Sequence, residues 1–162
     1  MPNLPKPQGL DPASEPPVCY LILEEKPNPS TDYFVLGAIN DGVVRPDQAT
    51  DTNHDNSGSN NNTHQNPKIQ IQRLTWGEPL SQTQLRGAHV VVVRYLTDDW
   101  RKAIEQHRQE LGSLTYFFDD DIPDVKASRG LPLKYRYKLY RYGARHFDWL
   151  SQQNASLWVS TP

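Results

Sequence analysis

The run AHVVVVRYL, from Ala88 to Leu96, narrows the folds open to this chain more than any other stretch. It is continuously apolar and β-branched, so as a strand it has no face to offer to water. A strand buried on both sides belongs in a parallel sheet with helices on each face, joined by crossovers. Leu114 to Phe118 is a second strand of the same kind. Between the two, Thr97 or Asp98 offers a helix cap, and Trp100, Ala103, Ile104, His107 and Leu111 follow at spacings of three and four. Those positions share one face of an amphipathic helix over Asp98 to Leu111, which Gly112 closes.

The same alternation continues. Pro132 to about Gln152 is expected as one long helix, and Ala155 to Ser160 as a closing strand. Upstream, Lys68 to Leu74 alternates as a half-exposed strand, and Val18 to Leu23 is an apolar run of strand length. Tyr33 to Ile39 is its expected strand partner, with Asn28, Pro29, Ser30 and Asp32 as turn chemistry between them. Strand, helix, strand, helix, strand with short links gives an α/β fold, a Rossmann-like, mostly parallel sheet with flanking helices. The domain covers 18–162. Residues 1–17 form a proline-rich leader expected to be disordered. A polar stretch at about 45–67 has no large apolar side chain to offset its ordering entropy, and is expected as a disordered insertion.

Several classes of function are disfavoured. With 162 residues and a hydrophobic fraction of 36%, there is room for one domain and a real core. A net charge of -2 argues against bulk binding to nucleic acid. Cys19 is the single cysteine, and no Cys/His cluster has zinc-ligand spacing. His54 and His64 read as solvated filler. No stretch approaches the roughly 18 apolar residues of a membrane span, and the leader lacks the apolar core of a signal peptide. The expected compartment is the cytoplasm, with at most peripheral membrane contact. P-loop, G-x-G-x-x-G and G-x-S-x-G motifs are missing.

Three constellations can carry chemistry. Asp119, Asp120 and Asp121 follow the strand Leu114 to Phe118, at the end where open α/β sheets bind ligands. They can hold a divalent cation, act without metal on protons or sugar hydroxyls, or merely cap the next turn. Arg94, near the carboxyl end of a buried strand, calls for a partner, either an aspartate on the neighbouring strand or a ligand. Lys134, Lys138, Arg141 and Arg145 recur at four, three and four, a basic row able to bind an anion or to form a solvated face. Leu133, Leu139, Tyr140, Phe147 and Leu150 are the expected core-facing set opposite them. Asp98 and Asp99 read as helix-capping, and His89 as a packed histidine.

The strings VVVRYL, YFFDDDIPD, GLPLKYRYKLYRYGARHFDWL and LWVSTP, with PSTDYFVLGAI upstream, resemble the amino-terminal half of bacterial GT-B-type glycosyltransferases of the family-4-like, or group 1, assemblage. The resemblance covers about Leu21 to Pro162, interrupted by the Asn-rich stretch. It implies two Rossmann-like domains facing across a cleft, the first handling the acceptor and the second binding a nucleotide-sugar donor. Tyr33, Arg94, Asp119, Asp120 and Asp121 would then contact or orient the acceptor at the mouth of that cleft. No cofactor or active-site metal is implied, only the nucleotide-sugar donor and a glycan or cell-envelope acceptor. The donor half would lie beyond Pro162, so the expectation is a truncated product or a subunit served by a separate donor-domain chain. A rival expectation, drawn from the residues alone, is a non-enzymatic module that binds a partner protein or anionic ligand through the basic helix.

Overall fold

The computed structural model describes residues 17–40, 68–118 and 130–160. The expected leader, apart from Pro17, the polar insertion and the Asp119–Asp121 triplet all lie outside the described residues. Among those described, five strands form one parallel sheet: β1 (Val18–Glu24), β2 (Ile69–Thr75), β3 (His89–Val93), β4 (Ser113–Phe118) and β5 (Ser156–Val159). Their spatial order is β2-β1-β3-β4-β5. Leu21 pairs in register with Val90, and Val92 in turn with Tyr116. The chain is α/β with an open parallel sheet, consistent with a Rossmann-like fold.

Strand alternation sorts the apolar side chains into two cores. Leu21, Leu23, Val90, Val92, Leu114 and Tyr116 face one way, and Tyr20, Ile22, Val91, Val93 and Phe117 the other. The first core is closed by Leu85 of α2 (Gln82–Leu85), Trp100 and Ile104 of α3 (Asp98–Gln106), Leu139 of α4 (Leu133–Tyr142) and Leu150 of α5 (Phe147–Gln152). The second packs against Val35 and Ile39, from a π-helical turn (Thr31–Leu36) that runs into α1 (Gly37–Asn40). With helices on both faces, the central strands read as unbroken apolar runs.

Four expectations are corrected. Tyr33 to Ile39 is helical, not a strand; Val35 and Ile39, four apart, are buried together, which helical periodicity allows and strand alternation does not. Asn28 starts this helix, its side-chain oxygen accepting the Thr31 N–H at 3.1 Å. The neighbours of β1 are β2 and β3 instead. The long helix from Pro132 to Gln152 is broken: α4 stops at Gly143, a short 3₁₀ turn (Ala144–His146) follows, and α5 completes the crossover. At the break the Tyr142 carbonyl accepts the Leu96 N–H at 2.7 Å, tying α4 to the exit of β3.

Within α4, Leu133 and Tyr140, seven apart, share an outer face and are exposed rather than core-facing, while Leu139 on another face and Leu150 of α5 are buried. Finally, the helix after β3 ends at Gln106, and Arg108–Glu110 forms a 3₁₀ turn before Leu111. Its cap is Thr97, whose hydroxyl accepts the Trp100 N–H at 3.3 Å.

Candidate functional site at the carboxyl edge of the sheet

In the order β2-β1-β3-β4-β5 the chain leaves β1 toward one edge and returns on its other side as β3. The crevice between the carboxyl ends of β1 and β3 is therefore the topological switch point, where open α/β sheets take ligands. Glu24 and Arg94 stand at its two sides.

Glu24, the last residue of β1, is fully buried. Its Oε2 accepts the Thr31 hydroxyl at 2.8 Å and the Asn28 amide at 3.3 Å, and its Oε1 accepts Arg73 Nε at 2.6 Å. Arg73, near the end of β2, also donates through Nη1 to Asp32 at 2.6 Å. Burial works against the Arg73 charge, but hydrogen bonds to Glu24 and Asp32 outweigh it and raise its pKa further. The carboxylate thus ties the ends of β1 and β2 to the start of the π-helical turn. Its lone pairs are engaged by these donors, so its role is to build the crevice floor.

Arg94 follows β3 directly and adopts φ 60°, a left-handed conformation that non-glycine residues rarely take. The neighbouring strand holds it there. Its N–H donates to the Phe117 carbonyl at 2.8 Å, and its carbonyl accepts the Tyr116 hydroxyl. Burial pushes the Tyr116 pKa upward, which keeps that hydroxyl a donor. The turn carries the Arg94 side chain across the switch point, where Nη2 donates to the Ser30 hydroxyl at 3.3 Å. Tyr33, on the turn that Ser30 precedes, is 77% exposed and packs edge-on against Phe34. A guanidinium beside a hydroxyl, with an exposed tyrosine nearby, suits an oxygen-rich ligand with a planar or sugar-like face.

The basic row meets carboxylates of its own chain. Lys138 Nζ lies 2.6 and 2.8 Å from the two oxygens of Glu25, and over the rings of Tyr95 and Trp76 at 4.6 and 5.5 Å. Glu25, Trp76 and Tyr95 each lie just past a strand, at the ends of β1, β2 and β3. The helix α4 is thus strapped across the carboxyl edge. Arg141 and Arg145 both pair with Asp98, at the start of α3. Burial alone would raise the Asp98 pKa, but the hydrogen bond from Arg141 and the two arginine charges hold it below the ordinary carboxylate value. Lys134 makes no ion pair among the described residues.

The structure therefore brings Arg94 to the turn that carries Tyr33, while Lys138, Arg141 and Arg145 fasten α4 in place. Sequence reasoning missed Glu24, Thr31 and Arg73, and read Asn28 only as turn chemistry. A signal existed for one of them: Glu24 ends the apolar run VCYLIL, just as the aspartate triplet follows LTYFF. His89 is half-buried, with Nδ1 2.9 Å from the Ser113 hydroxyl, and burial lowers its pKa. Among the described residues no three His, Cys, Asp or Glu side chains are grouped so as to hold a metal, and no helix is long and apolar enough to cross a membrane.

The fold and this crevice define a Rossmann-like α/β domain with a polar carboxyl edge. Comparisons with protein-family models, with curated proteins and with solved structures returned no match.

Proposed function

We propose that this chain is the acceptor-side domain of a nucleotide-sugar-dependent glycosyltransferase, one that moves a hexose to a glycan or cell-envelope acceptor. The observation that carries this reading is where the resembling strings fall in the fold. VVVRYL supplies β3 and the turn at Arg94, PSTDYFVLGAI supplies Ser30 and Tyr33, and LKYRYKLYRY is the helix strapped across the carboxyl edge. Segments remote in sequence meet at one crevice, at the place where this architecture takes ligands.

In that role Arg94 and Ser30 hydrogen-bond the acceptor, and Tyr33 supports a sugar face. The reaction is displacement at the anomeric carbon: an acceptor oxygen forms the new glycosidic bond and loses its proton, and the nucleoside diphosphate departs with the old bond's electrons. The donor is held by a second domain, on the same polypeptide or on a separate chain. This side contributes position, bringing the acceptor oxygen to the reacting carbon.

The test uses the protein as it occurs in its own cells. It is incubated with radiolabelled UDP- and GDP-hexoses and an envelope extract from those cells. Label should pass from one donor to the extract, and Arg94→Ala should reduce transfer by about tenfold or more without changing the circular-dichroism spectrum. Transfer from no donor, or an Arg94→Ala variant as fast as wild type, counts against the proposal.

A further inference from the structure

One side of α4 borders a hollow. Tyr135, Lys138 and Tyr142, spaced by three and four, share that side, and with Pro132, Lys134 and Tyr137 they line a cavity of about 450 Å³. Small-molecule sites span roughly 300–1,000 Å³, so the space suits a ligand. Its walls are almost wholly apolar: ring and stem carbons form them, and the polar ends of these side chains stand away from them. The walls are also fixed from behind. Tyr142 packs against Trp76 with ring centroids 4.7 Å apart, Tyr135 hydrogen-bonds Tyr95, and Lys138 is held by Glu25. Because Trp76, Tyr95 and Glu25 each follow a strand of the sheet, the hollow is anchored to the core and formed before a ligand arrives.

Charge decides what such a space takes. Aromatic rings around a hollow commonly hold a cation, through the negative faces of the rings. Here the chain fills that role itself, since the Lys138 ammonium lies over the rings of Tyr95 and Trp76 at 4.6 and 5.5 Å. A second cation would meet its like charge. Lys138 also engages both oxygens of Glu25, at 2.8 and 2.6 Å, which answers its own charge. Lys134 is different: it is exposed and makes no ion pair among the described residues. The α4 sequence LKYRYKLYRY has no acidic residue to offset it. An anionic group is therefore favoured at the Lys134 end. Between the tyrosines a flat ring is favoured over a saturated chain, because aromatic pairs gain more than their buried area accounts for.

The geometry points to a binding site for a small aromatic anion, its flat ring packed on Tyr135, Tyr137 and Tyr142 and its anionic group paired with Lys134. The lining shares no residue with the crevice of Arg94, Ser30 and Tyr33. The inference stands apart from the glycosyltransferase reading, because its test contains neither sugar donor nor acceptor.

The purified full chain is titrated calorimetrically with four probes: naphthalenesulfonate, the neutral naphthalenesulfonamide, the ring-free hexanesulfonate and the cationic naphthylmethylammonium. Naphthalenesulfonate should saturate a single site, and the other three should bind at least about tenfold more weakly. Lys134→Ala should weaken naphthalenesulfonate by about the same factor and leave the sulfonamide unchanged, whereas Tyr137→Ala should weaken both. Lys134 and Tyr137 are exposed, so each variant should keep the wild-type circular-dichroism spectrum. Naphthalenesulfonate that binds no better than hexanesulfonate, or that binds both variants as well as wild type, overturns the proposal. So does binding at several weak sites. Tightest binding of the ammonium would make the hollow a cation cage, and overturns it as well.

Discussion

Glu24 is a carboxylate at the end of an apolar strand, closed off from solvent and met by donors from Asn28, Thr31 and Arg73. A buried charge is tolerable only when its partners are in place, and removing one side of such a pair is costly. Glu24→Gln keeps the shape but removes the charge facing Arg73 and puts a donating amide where one accepting carboxylate oxygen met N–H or O–H donors. Arg73 retains Asp32 and is partly exposed, so the loss should fall below that of a wholly buried pair. About 1–3 kcal/mol of destabilisation is expected, read as a lower urea midpoint at unchanged slope. An unchanged midpoint would show that the pair gives no net stability.

At this scale the sequence announced Arg94, because an arginine in an apolar strand has to be explained. It did not announce the left-handed turn that directs the side chain. That turn depends on Phe117 and Tyr116, more than twenty residues away and brought alongside only by strand pairing.

The elements differ in how much of themselves they carry. β3 and β4 were legible because parallel strands covered on both faces need unbroken apolar runs, and HVVVV and SLTYFF can do little else. The π-helical turn was not, since YFVLGAI satisfies strand composition as well as a helix and the choice is made by packing on Ile22 and Val93. The break after α4 lies at Gly143, where a Leu96–Tyr142 bond replaces helix continuation. Just beyond it, His146 is buried, with its Nε2 accepting from Arg145 Nε at 3.3 Å.

Burial, and then the charge of Arg145, push the His146 pKa down from 6.5 to about 4; Asp98 pulls the other way and Arg101 adds to the depression. Below pH 6.5 the unfolded chain takes up this proton and the folded chain does not. The stability linked to His146 is therefore whole above 6.5 and declines as pH falls toward 4. Unfolding midpoints measured from pH 7.5 down to 4.5 should decline in wild type and decline less in His146→Gln. Parallel slopes in the two proteins would remove His146 as the cause. The Asp98 linkage has the same sign in a lower window, since that depressed carboxyl loses its contribution only as pH falls below the ordinary carboxylate range.

For the whole molecule, the α/β class and the parallel sheet followed from strand composition, but the strand order could not. That β1 has β2 on one side and β3 on the other depends on pairing between strands distant in sequence, which strand composition does not encode. That order has a consequence for cooperativity. β1, β3 and β4 each have a strand on both sides and apolar cores on both faces, so opening any one of them exposes most of the molecule. Among the described residues, β2 and β5 have a strand on one side only. In β5, Leu157 and Val159 are half-exposed even though their register partners Tyr116 and Phe118 are buried. Local opening free energy follows buried contacts, so the sheet should fray from its edges inward. In hydrogen exchange followed by mass spectrometry, peptides from β1 and β3 should exchange at least about tenfold more slowly than those from β5, with β2 between. Equal protection across the sheet would mean that β5 is covered by contacts outside the described residues, and that the exposed Leu157–Val159 edge is not a free border.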